Sequence, residues 1–236
     1  MNTDSEFTRT EILLGQKAVD SIRSSKVLLF GVGGVGGYVA EALARAGVGS
    51  ITLVDSDKVD ITNINRQIIA LHSTIGRYKT EVMAERIKDI NPDAEVTVKN
   101  CFFLPENADE FNFYGYDYIA DCVDTVAAKL EIITRAKACG TPVISAMGAG
   151  GKLDPSLFRV SDISKTEYCP LAKVMRRELR KRGITHVPVV WSPEVHPRKN
   201  VPDDTPIGTV SFVPAAAGLV LAGEIIRTLA GTVPEI

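Results

Sequence analysis

Val27-Leu28-Leu29-Phe30-Gly31-Val32-Gly33-Gly34-Val35-Gly36 is an apolar run that closes in a cluster of glycines. Its length and composition read as a buried parallel strand. The glycines lead straight into an alanine-rich stretch, 38–46, with the pattern of a helix. A strand, a glycine turn and a helix start make a nucleotide-phosphate site for a physical reason. Unpaired N–H groups at the helix start point at an anion, and glycines let the backbone approach it closely. Gly31, Gly33, Gly34 and Gly36 are therefore candidate nucleotide-binding positions. A second strand, 50–54, ends at Asp55, which stands where a ribose-binding carboxylate is expected. A tight strand–helix turn without a ligand would need the same glycines but not the acid beyond them.

Outward from this unit the pattern repeats. Residues 7–24 place Ile12, Leu13, Ala18, Val19 and Ile22 at helical spacing, which predicts one helix packed beneath the sheet. A helix is expected over 78–90, stopped by Asn91-Pro92, and strands over 95–98 and 116–124. The helix over 125–139, closed by Gly140, precedes a fifth strand at 141–146. Strands alternating with helices give an α/β, doubly wound, mostly parallel sheet. Right-handed crossovers gather the strand ends, and with them Asp55, Asp121 and Asp124, at one edge. Beyond residue 148 the alternation breaks. A short strand near 158–160, a basic helix, a Pro-rich loop, a strand at 209–213 and an apolar helix at 215–229 are expected there. The chain thus divides into a nucleotide-binding domain, 1–150, and a smaller C-terminal extension, 151–236, packed on the same domain.

Composition narrows the function classes. With 236 residues and a formal net charge of −2, the chain is no globally basic nucleic-acid binder, so an RNA partner would have to meet a local patch. No apolar run approaches the roughly 20 residues of a membrane span, and residues 1–9 lack a signal-peptide apolar core. A cytoplasmic protein without a membrane partner is the expectation. Cys101, Cys122, Cys139 and Cys169 contain no Cys-x-x-Cys pair, and His72, His186 and His196 are scattered. No zinc site is expected. Cys169 precedes Pro170 at a helix start, where a reactive thiol and a spectator both remain open.

The segment 55–67 carries the sharpest chemical signal. It is densely polar and lacks periodicity, and it holds Asn63, Arg66 and Gln67, with Lys79 shortly beyond. A nicotinamide oxidoreductase has no need of such donors near the phosphates, and neither has a module that only senses nucleotide. Fixed cationic and amide groups converging on a triphosphate suit chemistry at phosphorus. Asp124 suits a magnesium ligand beside it. The plainer alternatives are a solvated Lys79 and helix-capping roles for Asp121 and Asp124.

Taken together, the glycine cluster, Asp55, Asn63-Ile64-Asn65-Arg66-Gln67, Gly76-Arg77-Tyr78-Lys79 and Asp121-Cys122-Val123-Asp124 resemble the adenylating superfamily of ubiquitin-activating enzymes. That superfamily includes the sulfur-carrier adenylyltransferases. The resemblance implies a Rossmann-like adenylation domain that binds ATP and Mg2+. Asp55 would hold ribose, Asn63, Arg66 and Lys79 the phosphates, and Asp124 the magnesium, with Gln67 and Asp121 in the nucleotide site. It also implies a homodimer in which Arg9 reaches into the partner subunit's site. Arg9, Arg66, Lys79 and Asp124 are thus the candidate catalytic residues. Whether a monovalent cation is also bound stays open.

Within the superfamily, Met147-Gly148-Ala149-Gly150-Gly151-Lys152-Leu153-Asp154-Pro155 and Asp162-Ile163-Ser164-Lys165-Thr166 resemble the tRNA threonylcarbamoyladenosine dehydratases. The resemblance implies a tRNA substrate whose threonylcarbamoyl carboxylate is adenylated and then cyclised. The alternative is activation of the C-terminal carboxylate of a small ubiquitin-like sulfur-carrier protein. Some relatives carry a C-terminal cysteine; none follows Cys169 here, which argues against a sulfur-transfer partner acting through that tail. From Lys173 to Arg182 run six basic residues and one acid, with Leu171, Val174, Met175 and Leu179 as an apolar stripe. This is an amphipathic helix with a cationic face. Given an RNA partner, Lys173, Arg176, Arg177, Arg180 and Lys181 become candidate phosphate contacts, and His196, Arg198 and Lys199 could extend them.

Overall fold

Parallel pairing of β1 (Lys26–Phe30) with β2 (Ser50–Val54) on one side and β4 (Tyr118–Asp121) on the other forms the centre of a seven-stranded sheet. β3 (Glu95–Lys99) extends it beyond β2, and β5 (Val143–Ala146) beyond β4. Two later strands, β6 (Arg159–Asp162) and β7 (Pro188–Trp191), complete the order β3-β2-β1-β4-β5-β7-β6. Only β6 runs antiparallel to its neighbour. The chain direction reverses its walk across the sheet between β1 and β4, which opens a crevice at their carboxyl ends. The computed structural model describes residues 5–195 and 207–232.

Strand alternation divides the core into two layers. Val27 and Leu29 of β1 face one cluster, shared with α2 (Gln16–Ser24), α3 (Gly36–Ala46), α4 (Lys79–Ile90) and α7 (Phe212–Leu229). Leu28 and Phe30 face the other, built with α5 (Val126–Cys139) and α6 (Pro170–Lys181). α5 stops at Gly140, whose φ of 73° is the left-handed geometry a glycine terminator supplies. The chain's single tryptophan, Trp191, is buried at the far end of the sheet. Its indole N–H donates to Ser161 Oγ at 2.7 Å, and Arg159 lies over its ring.

Three expectations are corrected. The single helix over 7–24 is two: α1 (Thr8–Leu14) and α2 are separated by Gly15 at φ 83°, ψ 155°, a conformation that breaks a helix and that only glycine adopts freely. As a result Ile12 and Leu13, expected to pack under the sheet, are 81 % and 82 % exposed. The strand expected at 209–213 does not form; α7 begins at Phe212 and buries Val213 and Pro214. Finally, β7 lies within a stretch read as a Pro-rich loop. α7 is also, by length and a mean hydropathy of 1.5, apolar enough to cross a membrane. Here it is a core helix: it packs on α3 and the sheet, and it buries Ala217, Leu221, Ala222 and Ile225.

Glu41 of α3 ties two helices of the first layer together. Its carboxylate accepts from Arg86 of α4 at 2.6 and 3.0 Å and from Arg45 at 2.8 Å. Burial by itself would raise its pKa, but the two guanidinium groups outweigh that and hold it below the ordinary glutamate value. A carboxylate depressed on folding contributes stability above its unfolded pKa, and the contribution is lost as pH falls through the folded value. Glu41→Gln should therefore lower the melting temperature at pH 7. The gap to wild type should close as the pH is taken below 4.5, which thermal melts across pH 3–7 would record.

Candidate active site

The glycine turn is shaped by close backbone approach. Gly31 has φ 84°, and a Cβ there would sit 2.8 Å from the Cys122 carbonyl oxygen beyond β4. A Cβ on Gly36 would lie 1.8 Å from the Gly31 oxygen, so that glycine serves the turn itself. Asp55 is clamped by two backbone donors, Val32 N at 2.7 Å on Oδ2 and Asp57 N at 2.8 Å on Oδ1. Each carboxylate oxygen keeps lone-pair capacity for a hydroxyl. The N–H groups of Gly33, Gly34 and Val35, just before α3, find no acceptor among the described residues.

The polar loop after β2 folds back over this turn. Asp60 caps the short helix Ile61–Asn63, and Asn63 returns a bond to the Asp60 N–H. This reciprocal cap buries Asn63. Arg66 is steadied through Nη1 by the Thr62 carbonyl and Asn65 Oδ1, both at 2.9 Å, which leaves the other N–H groups of its fork for a ligand. Gln67 is buried, and its Oε1 has no hydrogen-bond partner among the described residues. For Lys79, the first residue of α4, the plainer reading is a solvated side chain. It is buried instead, 5 % exposed, with its ammonium 2.7 Å from Asp57 Oδ2. A lysine with one of three donors so engaged can still bind oxygens within the site.

These groups line one cavity of about 830 Å3 at the carboxyl ends of β1, β2 and β4. Gly31, Gly33, Gly34 and Asp55 form its floor, and Asn63, Arg66, Gln67 and Lys79 one wall. Asp124, exposed after β4, faces them. Gly36, Asp121 and Arg9 are not in the lining. The Asp121 carboxylate, expected at the nucleotide, is fully buried behind it: Lys129 Nζ lies at 3.0 Å and Ser145 Oγ at 2.6 Å. Arg9 is exposed on α1.

Part of the wall was not foreseen. Gly150, Ile207, Gly208, Thr209 and Pro214 close the cavity from the C-terminal part of the chain. Asn65 Nδ2 donates to the Thr209 carbonyl at 3.1 Å, and Gly151 N to the Gly208 carbonyl at 2.8 Å. Buried Lys152 fastens the same loop by donating to the carbonyls of Ser192 and Glu194. Two thiols, Cys101 and Cys122, also border the cavity. Burial pushes both above the ordinary cysteine range, and the Asp121 charge adds to it at Cys122. Neither is a ready thiolate. Cys169 is buried outside the cavity.

On α6 the cations lie as expected along one face. Lys173, Arg176, Arg177, Arg180 and Lys181 surround a shallow concavity of about 390 Å3. Ala172, Met175 and Leu179 are the buried stripe, with Leu171 and Val174 half-buried beside it. Glu178 accepts from Arg177 and Lys181, both at 2.9 Å, while Lys173 and Arg180 have no acidic partner among the described residues. Expected contacts at His196, Arg198 and Lys199 lie outside the described residues.

A family model, the ThiF family, matches residues 7–236. The chain belongs to this family. It is 43 % identical over 239 residues to a tRNA threonylcarbamoyladenosine dehydratase of Bacillus subtilis, covering 95 % of this chain and 94 % of that protein. The crystal structure of the Escherichia coli tRNA N6-threonylcarbamoyladenosine dehydratase in complex with ATP superposes with a TM-score of 0.88. That chain is 36 % identical, and the match covers 96 % of this chain and 94 % of that one. An Aspergillus terreus adenylyltransferase and sulfurtransferase is 35 % identical over 133 residues, which is 56 % of this chain but 27 % of that protein.

Proposed function

We propose that the protein is an ATP-dependent tRNA threonylcarbamoyladenosine dehydratase. The observation that carries this reading is the joining of a glycine-turn nucleotide floor to an Arg66–Lys79 wall in one cavity, in a chain matched end to end by dehydratases rather than by the sulfurtransferases. Asp55 receives the ribose hydroxyls. Arg66 and Lys79 stabilise negative charge as the substrate carboxylate attacks the α-phosphorus and pyrophosphate leaves. A carboxylate cannot close onto the base-linked amide directly, because its oxygen is a poor leaving group. As an acyl-adenylate it can, with AMP departing. Both cavity thiols are held protonated, and an intramolecular closure needs no enzyme thiolate.

The donor set fits magnesium. Asp124 is an exposed carboxylate on the cavity wall without a cationic partner among the described residues. One carboxylate plus phosphate oxygens is the usual way that ion is held. Mg2+ there would neutralise charge on the departing pyrophosphate. Arg9, exposed on α1 with Ile12 and Leu13, serves a second copy in a homodimer, a reading its exposure supports. Pyrophosphate release tests the reaction: threonylcarbamoyl-tRNA should stimulate it and unmodified tRNA should not. Stimulation by a carrier protein with a free C-terminal carboxylate would overturn the reading in favour of the alternative.

The basic face of α6 supplies the RNA phosphate contacts. Changing Arg176, Arg177, Arg180 and Lys181 together to glutamine should weaken tRNA binding and flatten its salt dependence, while ATP binding stays near wild type. For every phosphate no longer neutralised, the slope of log affinity against log salt should flatten by roughly 0.7–0.9. Titrations at several salt concentrations would read this, and an unchanged slope would make α6 a solvated face.

A further inference from the structure

Among the described residues, one non-glycine residue adopts a positive φ: Tyr168, at 55°. It is also 70 % exposed. Cys169 N closes a three-residue turn onto the Glu167 carbonyl at 2.6 Å, with Tyr168 at its centre. Such turns are rare and strained in L-residues. Burial gives no return here, because most of the ring lies in solvent. The turn is imposed from both ends. Thr166 is buried and donates through its hydroxyl to the Ile163 carbonyl, and Cys169 is buried ahead of Pro170 in the first turn of α6. Between these anchors the backbone has to push residues 167 and 168 outward.

Two cations of α6 lie close to the turn. Arg176, a member of the basic concavity, reaches back to the Thr166 carbonyl at 2.8 Å, so the concavity abuts the strained turn. Lys173 N bonds the Cys169 carbonyl at 3.0 Å, which sets that lysine one helical turn away. Glu167 is the one acid in the turn. On its other side the turn meets the cavity loop: a Cβ on Gly148 would touch Cys169 Sγ at 3.6 Å, and Gly150 lines the cavity. The turn that carries the exposed ring thus joins the basic concavity to the loop that borders the cavity.

We infer that Tyr168 is a stacking platform for an unpaired base of the RNA substrate. The inference rests on the tRNA reading above. RNA loops are gripped by pairing backbone cations with aromatic faces on which splayed bases stack, and an exposed ring on a turn that adjoins Lys173 and Arg176 has that composition. A strained backbone that holds the ring away from the core keeps it available to a base. The contact would hold the nucleotide near the modified adenosine while its side chain enters the cavity.

The test compares Tyr168→Phe, Tyr168→Ala and Tyr168→Gly in the full chain, with an unmodified tRNA transcript as the probe at several salt concentrations. Alanine and glycine should each weaken binding on the order of tenfold, and phenylalanine should bind like wild type. The salt slope should not change, since every phosphate-binding cation stays in place. Tyr168→Gly should at the same time melt higher than wild type, because glycine takes φ 55° without penalty. Stability and affinity moving in opposite directions is a result that a structural role cannot give. Wild-type affinity in Tyr168→Ala, or a phenylalanine variant as weak as alanine, would overturn the inference. A flat response to neutralising α6 alongside a weakened Tyr168→Ala would overturn the phosphate reading and leave stacking in place. No tRNA binding by the wild type would overturn both.

Discussion

Arg66→Ala should keep its fold and lose adenylation, with ATP-dependent pyrophosphate release falling by on the order of 10² to 10³. Arg66 is half-buried on a loop, and its hydrogen bonds run to its neighbours Thr62 and Asn65, so truncation removes little core. Lys79→Ala should lose activity by a similar factor, for a partly different reason. Its ammonium is buried beside Asp57, and deleting it leaves that carboxylate facing the cavity uncompensated. Repulsion between Asp57 and a triphosphate then adds to the missing attraction, so Lys79→Ala should also bind ATP more weakly than Arg66→Ala. Calorimetric ATP titrations beside turnover separate the two effects. Wild-type turnover in either variant would remove that residue from the reaction.

The second large effect concerns stability. Lys129 and Asp121 are both fully buried, 3.0 Å apart, with Ser145 Oγ and the Val123 N–H completing the carboxylate's shell. Breaking a buried pair from one side leaves an uncompensated charge and costs about 3–5 kcal/mol. Lys129→Met should therefore unfold in less urea and melt roughly 10 °C lower. Adding Asp121→Asn to Lys129→Met should recover much of the loss, because the charge is then gone from both sides. A single variant as stable as wild type would show that the pair contributes nothing.

This pair also marks the limit of what the sequence discloses. Asp121 stands at the end of β4, in a sheet whose β1 and β2 deliver Gly31 and Asp55 to the cavity, so strand-end logic assigns it there as well. Its true partner, Lys129, lies eight residues on, and only the path of α5 brings its side chain back under the strand. Gly31, Asp55, Arg66 and Lys79 were legible as cavity residues because their places follow from local order: strand, turn, acid, polar loop, helix start. The wall formed by Gly150, Ile207 and Thr209 was not, because its contacts join residues some 60 to 140 positions apart. β7 was hidden for a related reason. Four residues between prolines have no usable periodicity, and they become a strand only when β5 and β6 flank them. The strand expected over 209–213 failed the other way. Thr209, Val210 and Val213 are good strand formers, but packing on α3 takes Val213 into a helix.

Because Trp191 is the chain's only tryptophan, the protein carries a built-in optical reporter at one defined place. Its emission senses the β6–β7 border alone, at the end of the sheet remote from the β1–β2 pair that carries the glycine turn. Far-ultraviolet dichroism, by contrast, averages over every helix. Denaturation curves followed by the two signals coincide if the sheet melts as one unit. They separate if the β6–β7 border loosens first, and a nucleotide held at β1 and β2 would then shift the dichroism curve while leaving the fluorescence curve behind.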